Sequence, residues 1–150
     1  MAKLRSLMVA ILGLLFVAGI FFSTRSDVAA ISSSTVTGLA TMRHLATEST
    51  PYSVALSNAK PTLVEFYADW CTTCQSMAPI LQNLHQQYES DINLVMLNID
   101  DPQWAKQIEQ YQVQGIPHFT FLNQEQQSVK TLVGRVPETI LSQILAQLVS

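Results

Sequence analysis

The stretch Ala68–Pro79, ADWCTTCQSMAP, holds the chain's two cysteines, Cys71 and Cys74, with Thr72-Thr73 between them. Immediately upstream lies Pro61–Ala68, PTLVEFYA, a β-favouring run bounded by proline and by the cysteines, which predicts a strand. Downstream, Met77, Leu81, Leu84 and Tyr88 recur at helical spacing, so a helix is expected to begin at the cysteines. Pro79 should bend it, because proline has no N–H for the carbonyl of Gln75. The pair therefore falls at a strand-to-helix junction, with Cys71 at the cap and Cys74 one turn in on the same side.

Three chemistries compete for such a pair. A structural zinc site needs about four ligands. The histidines His44, His85 and His118 have no metal-ligand spacing to one another, so no metal is expected. An inert disulfide across two residues closes a tiny loop and gains little from chain entropy. A reversible redox pair fits the placement better. The helix N-terminus stabilises a thiolate on Cys71, and the thiolate is the form that attacks disulfides. Cys71 is then the exposed nucleophile and Cys74 resolves the mixed disulfide. The pair itself is the redox group, and no further cofactor is expected.

Further along, Ile92–Asp100 predicts a second strand. DPQWAKQIEQYQV predicts a second helix capped by Asp101 with Pro102 in its first turn. Trp104, Ile108 and Tyr111 share one face of it, and Trp104 reads as core. PHFTFLN predicts a third strand, QEQQ a turn, and Ser128–Gly134 a fourth strand. PETILSQILAQLV predicts a closing helix with Ile140, Ile144, Leu145 and Leu148 inward. The first crossovers are strand–helix–strand, which favours parallel strands with right-handed connections, whereas the last two strands share a tight turn and must be antiparallel. The fold class is α/β, a mixed sheet flanked by helices.

The two ends of the chain differ in charge. Residues 1–57 carry a net charge of +2 and residues 58–150 a net charge of −5. An acidic globular part without a basic patch argues against nucleic acid as partner. Ser6–Thr24 is uncharged over 19 residues. As a helix it would measure roughly 28 Å, close to the hydrocarbon thickness of a bilayer. Lys3 and Arg5 precede it, which places residues 1–5 in the cytoplasm and the rest across the membrane. A signal peptide cleaved near Asp27–Ala30 is the competing reading, and both readings export the domain. Residues 25–37, with the small polar run Ser32–Thr37, read as a linker, and the domain is expected over 38–150. GLATMRHLATES, from Gly38, suggests a short helix with Leu39, Met42, Leu45 and Ala46 on one face.

Glu65 interrupts the apolar first strand. A central strand would bury this carboxyl, at a cost that calls for a role, whereas an edge strand would leave it in water. The residues alone leave both open.

Taken together, LVEFYADWCTTCQSMAPIL (Leu63–Leu81), LNID (Leu97–Asp100), GIPHFTFL from Gly115 and VGRVP (Val133–Pro137) resemble the thioredoxin family from about Lys60 to Ser150. With the N-terminal apolar run, PYSVALSNAKPT (Pro51–Thr62) and VMLNIDDPQW (Val95–Trp104), the chain is similar to the TxlA-type membrane-anchored thioredoxin-like proteins of cyanobacterial and chloroplast thylakoids. That resemblance implies the thioredoxin fold and a role for Glu65 as proton acceptor for Cys74 with a raised pKa. It implies a cis-proline turn at Ile116-Pro117 facing the cysteines, with Gly115 giving close approach and the Ile116 backbone free to pair with an extended client. Trp70 becomes part of the client-facing surface and Tyr67 a residue that shapes the site. His118 either aids the thiolate when protonated or is structural. Met96 stands where many thioredoxins carry a lysine. Thr72-Thr73 replaces the family's Gly-Pro, the dipeptide that tunes the potential, and so leaves the direction of electron flow open. The resemblance further implies a reductase on the lumenal side, supplied by a CcdA-like membrane electron carrier and acting on disulfide-bearing protein clients such as apocytochromes. A disulfide donor, or a tethered binding module without turnover, are the rival readings.

Overall fold

Strand β1, Thr62–Tyr67, is buried at every position and lies inside a four-stranded sheet, between β2 (Asn93–Asn98) and β3 (His118–Leu122). Strand β4, Ser128–Val133, completes the order β2-β1-β3-β4. The computed structural model describes residues 25–150, with side chains from Thr37 onward. Thr37–Ser150 forms one compact unit.

The elements follow from the sequence pattern with some shifts. Helix α1 spans Arg25–Glu48, a short α2 spans Tyr52–Ala55, and α3 spans Thr72–Tyr88. A 3-10 turn at Pro102–Trp104 leads into α4, Ala105–Gln110, and α5 closes the chain at Glu138–Leu148. Asp101 caps the 3-10 turn as expected, accepting the Gln103 N–H at 3.0 Å. The uncharged run Ser6–Thr24 lies outside the described residues. Among the described residues, no helix is long and apolar enough to cross a membrane.

Three expectations change. The polar run read as a spacer is helical, since α1 begins at Arg25. Serine and threonine are only weak helix breakers, and a helix once nucleated propagates at little cost. The second correction concerns β3, which pairs antiparallel with β1, not parallel. The helical stretch after β2 is too short to carry the chain back to the start of the sheet. Strand β3 therefore enters at the end where β1 leaves, with His118 opposite Phe66. Third, Leu141 rather than Ile140 turns inward on α5, and Ile140 is exposed.

Side chains alternate across β1. Leu63 and Tyr67 join one core with Met42 and Leu45 of α1, Met77, Leu81 and Leu84 of α3, and Leu141 and Leu145 of α5. Val64 and Phe66 join the other, with Val95, Leu97 and Leu122, and with Trp104, Ile108 and Tyr111 packed against it. The apolar stripe expected from Gly38 onward is thus what seats α1 on the first core. Trp104 is half-buried and meets Tyr52 edge-on at 5.9 Å. Pro79 interrupts α3 and leaves the Gln75 carbonyl without its helical donor. Gly38 of α1 backs onto that carbonyl so closely that an added Cβ would lie 2.6 Å from its oxygen.

Candidate functional site

β1 delivers the chain into the loop Ala68–Trp70, and α3 starts one residue later. Cys71 is its N-cap, and its Sγ accepts the N–H of Cys74 at 3.1 Å. The turn is closed by Cys71 N–H to Ala68 O at 3.1 Å and Gln75 N–H to Cys71 O at 3.0 Å. Cys71 and Cys74 form a disulfide with Cα atoms 5.3 Å apart. Cys74 is fully buried, whereas Cys71 keeps 6% of its surface. Any attack from outside must therefore come at Cys71. The helix N-terminus and the Cys74 N–H stabilise negative charge on its sulfur.

Glu65 lies on β1 with the parity of Leu63 and Tyr67, so its carboxyl enters the core that contains Cys74. Its register neighbours are Met96 on β2 and Phe119 on β3, both apolar. It is fully buried, and neither carboxylate oxygen has a hydrogen-bond partner. Burial pushes its pKa up from the ordinary carboxylate range to about 8. The strand is central, so the alternative of a carboxylate at a watered edge is gone. No lysine offsets the acid, because Met96 occupies the neighbouring position. The result is a proton-holding group on the buried side of the cysteine pair.

The peptide bond Ile116–Pro117 is cis. Continuing the β1–β3 register by one residue sets Pro117 across from Tyr67, whose chain leads directly to the cysteines. The Pro117 carbonyl accepts the N–H of Gly134 at 2.8 Å, and Gly134 takes a φ of +84° that favours glycine. Among the described residues, no turn or loop hydrogen bond engages the Ile116 backbone. A Cβ at Gly115 would meet only Val133 within this chain, at an ordinary 3.5 Å. Trp70 is 65% exposed, and its indole N–H donates to Asp100 Oδ2 at 2.9 Å, so the ring stands on the surface beside Cys71. Thr72 is exposed and Thr73 half-buried in the first turn of α3. Tyr67 is buried. Its phenol pKa is raised first by burial and then by Asp69 and Glu65, against a lowering by Arg43.

His118 is not brought to the sulfurs. It pairs with Phe66, shares that residue's face of the sheet and meets its ring edge-on at 5.6 Å. Its Nε2 bonds Thr120 Oγ1 at 3.1 Å, and burial lowers its pKa, so it acts as a structural residue. The sequence pattern also left four contributors unnoticed. Arg43 pairs with Asp69, Gln75 Nε2 donates to Asp69 O at 2.6 Å, and Asp100 holds Trp70. The charged residue inside the motif, Asp69, was the available signal. Its partner lies 26 residues away and leaves no local trace.

Among the described residues there is no cluster of metal-ligating side chains. What the arrangement does offer is a sulfur with a small exposed surface at a helix cap, a fully buried sulfur behind it, a buried acid on the central strand and a cis-proline turn before β3.

Comparison with known proteins agrees with that chemistry. The thioredoxin family model matches residues 43–147. The chain is 42% identical over 120 residues to the chloroplastic thioredoxin-like protein HCF164 of rice, covering 80% of this chain and 42% of that one. It is 35% identical over 149 residues to a thiol:disulfide interchange protein TxlA homolog of Synechocystis, covering 99% and 78%. Among solved structures, the germline-specific thioredoxin Deadhead of Drosophila melanogaster aligns with a TM-score of 0.55 at 28% identity, over 61% of this chain and 84% of that one. The matched stretch spans about two fifths of the length of the rice and Arabidopsis HCF164 proteins.

Proposed function

The chain belongs to the thioredoxin family, and from that premise we propose that it is a thiol–disulfide oxidoreductase that works as a membrane-anchored reductase of disulfides in exported proteins. One observation carries the direction. A strongly oxidising pair needs an unusually stable thiolate, usually from a nearby cation. Around Cys71, His118 faces away, Arg43 is committed to Asp69, and Arg135 turns to Ser76 Oγ at 2.9 Å. Glu65, on the central strand, is an acid and adds no positive charge. With those cations engaged elsewhere, the helix cap supplies the main hold on the thiolate, which favours a couple that gives electrons away.

In the exchange, the Cys71 thiolate attacks one sulfur of a client disulfide, and the other client sulfur leaves as a thiolate. Cys74 loses its proton to Glu65 in its ionised form, which the raised pKa of about 8 makes the minor form at neutral pH, and attacks Cys71 Sγ. The client departs with two reduced sulfurs, and this chain keeps the Cys71–Cys74 disulfide. Pro117 and the unengaged Ile116 backbone would hold the client strand, with Trp70 beside it. Two electrons must then return from a dithiol donor. A CcdA-like membrane carrier fits that need if the chain is anchored beside it.

The anchor reading is supported by the uncharged run Ser6–Thr24 behind Lys3 and Arg5. Thylakoid placement is in keeping with the similarity to chloroplastic and cyanobacterial thioredoxin-like proteins, and lumenal apocytochromes are the clients the proposal names. Alkaline washing and protease treatment of sealed vesicles test the placement. The chain should stay with the membrane at full length, with the domain on the side opposite residues 1–5. Release of a species shortened to about Ala30 would replace the anchor with a cleaved signal.

A further inference from the structure

We propose that the Arg43–Asp69 ion pair sets the stability of the Cys71 thiolate, which makes α1 a working part of the redox site rather than an appendage to it. This rests on the exchange chemistry above and deepens it. Arg43 Nε and Nη2 both donate to Asp69 Oδ2, at 2.9 and 2.7 Å. Asp69 stands two residues before Cys71, so the two lie within about 7 Å along the chain. Its backbone carbonyl is gripped by Gln75 Nε2, and Gln75 in turn is the residue against which Gly38 packs. Helix α1 thus touches both partners of the bond that shapes the loop, through Arg43 at one and Gly38 at the other.

An unpaired carboxylate at Asp69 would disfavour a second negative charge on Cys71 Sγ, and Arg43 cancels it. The phenol of Tyr67 senses the same two charges with the signs this requires, raised by Asp69 and lowered by Arg43. Among the other charged groups, Asp100 holds Trp70 and Arg135 reaches Ser76 on α3, while Glu65 is buried on β1 without a hydrogen-bond partner. Both members of the pair are part-exposed, at 60% and 39%, so the influence is modest and falls with added salt. Arg43 and Asp69 are positioning residues and take no part in bond making.

The test is the pH dependence of alkylation of Cys71 in the reduced full chain in detergent, for the wild type, Arg43→Gln, Asp69→Asn and the double variant. Arg43→Gln should raise the thiol pKa and slow alkylation on the acid side by about two- to fivefold. Asp69→Asn should do the opposite by a similar factor. The double variant should return near wild type, and salt should shrink both single effects. A purely structural clamp loosens the loop in either single variant, so both rates would move the same way and ignore salt; that result overturns the proposal. A Cys71 that titrates normally but ignores both charges overturns it too, while leaving the exchange chemistry intact. A wild-type Cys71 with no titrating thiolate overturns both.

Discussion

Cys74→Ser is expected to convert the protein from an enzyme into a trap. Cys71 retains its place at the helix cap and its partial exposure, so it still attacks client disulfides. Without the buried sulfur behind it, the mixed disulfide has no internal resolving group and persists. Non-reducing gels should show client adducts of the Cys74→Ser protein, and thiol treatment should release them. Cys71→Ser should show none, and turnover of an insulin-type disulfide substrate should fall by at least ~10³-fold in either variant. Burial carries the assignment, because the sulfur with no exposed surface cannot make the first attack. Better trapping by Cys71→Ser would reverse the roles of the two cysteines.

The second large effect belongs to Glu65. Its carboxyl is buried without a hydrogen-bond partner, and its pKa is raised to about 8 in the fold. Between about 4.5 and 8 the native state holds a proton that the unfolded chain has released, so stability falls as pH rises through that window. Glu65→Gln keeps the shape and abolishes the titration. Relative to wild type it should be neutral near pH 4 and more stable by an amount approaching ~5 kcal/mol at pH 8, measured by denaturant unfolding of the oxidised protein. The same substitution removes the proton acceptor for Cys74 and should slow release of the mixed disulfide by about a hundredfold. A stability gain that does not grow with pH would mean that the acid is not protonated in the fold. An unchanged release rate would remove Glu65 from the chemistry.

How much of this was legible beforehand depends on distance along the chain. The junction of β1 and α3 and the cap at Cys71 are local patterns, and they emerged where the residues placed them. Glu65 could be flagged because an acid in an apolar strand is conspicuous, but its burial depended on β1 being central, which only the sheet order decides. The face of His118 was invisible for a related reason. Parity across an antiparallel pair requires the register, and the direction of β3 depends on where a short helical connection ends. Arg43, Gln75 and Asp100 escaped notice because each acts through a tertiary contact. None of those contacts leaves a periodicity.

The reduction potential of the Cys71–Cys74 couple bears most directly on the claim that the protein donates electrons. The full chain in detergent would be equilibrated with thiol redox buffers and its dithiol fraction counted by alkylation. A thiolate held mainly by the helix cap predicts a thioredoxin-like value, near roughly −270 mV. A value near roughly −120 mV would mean a strongly stabilised thiolate and a protein that forms disulfides in its clients instead of reducing them.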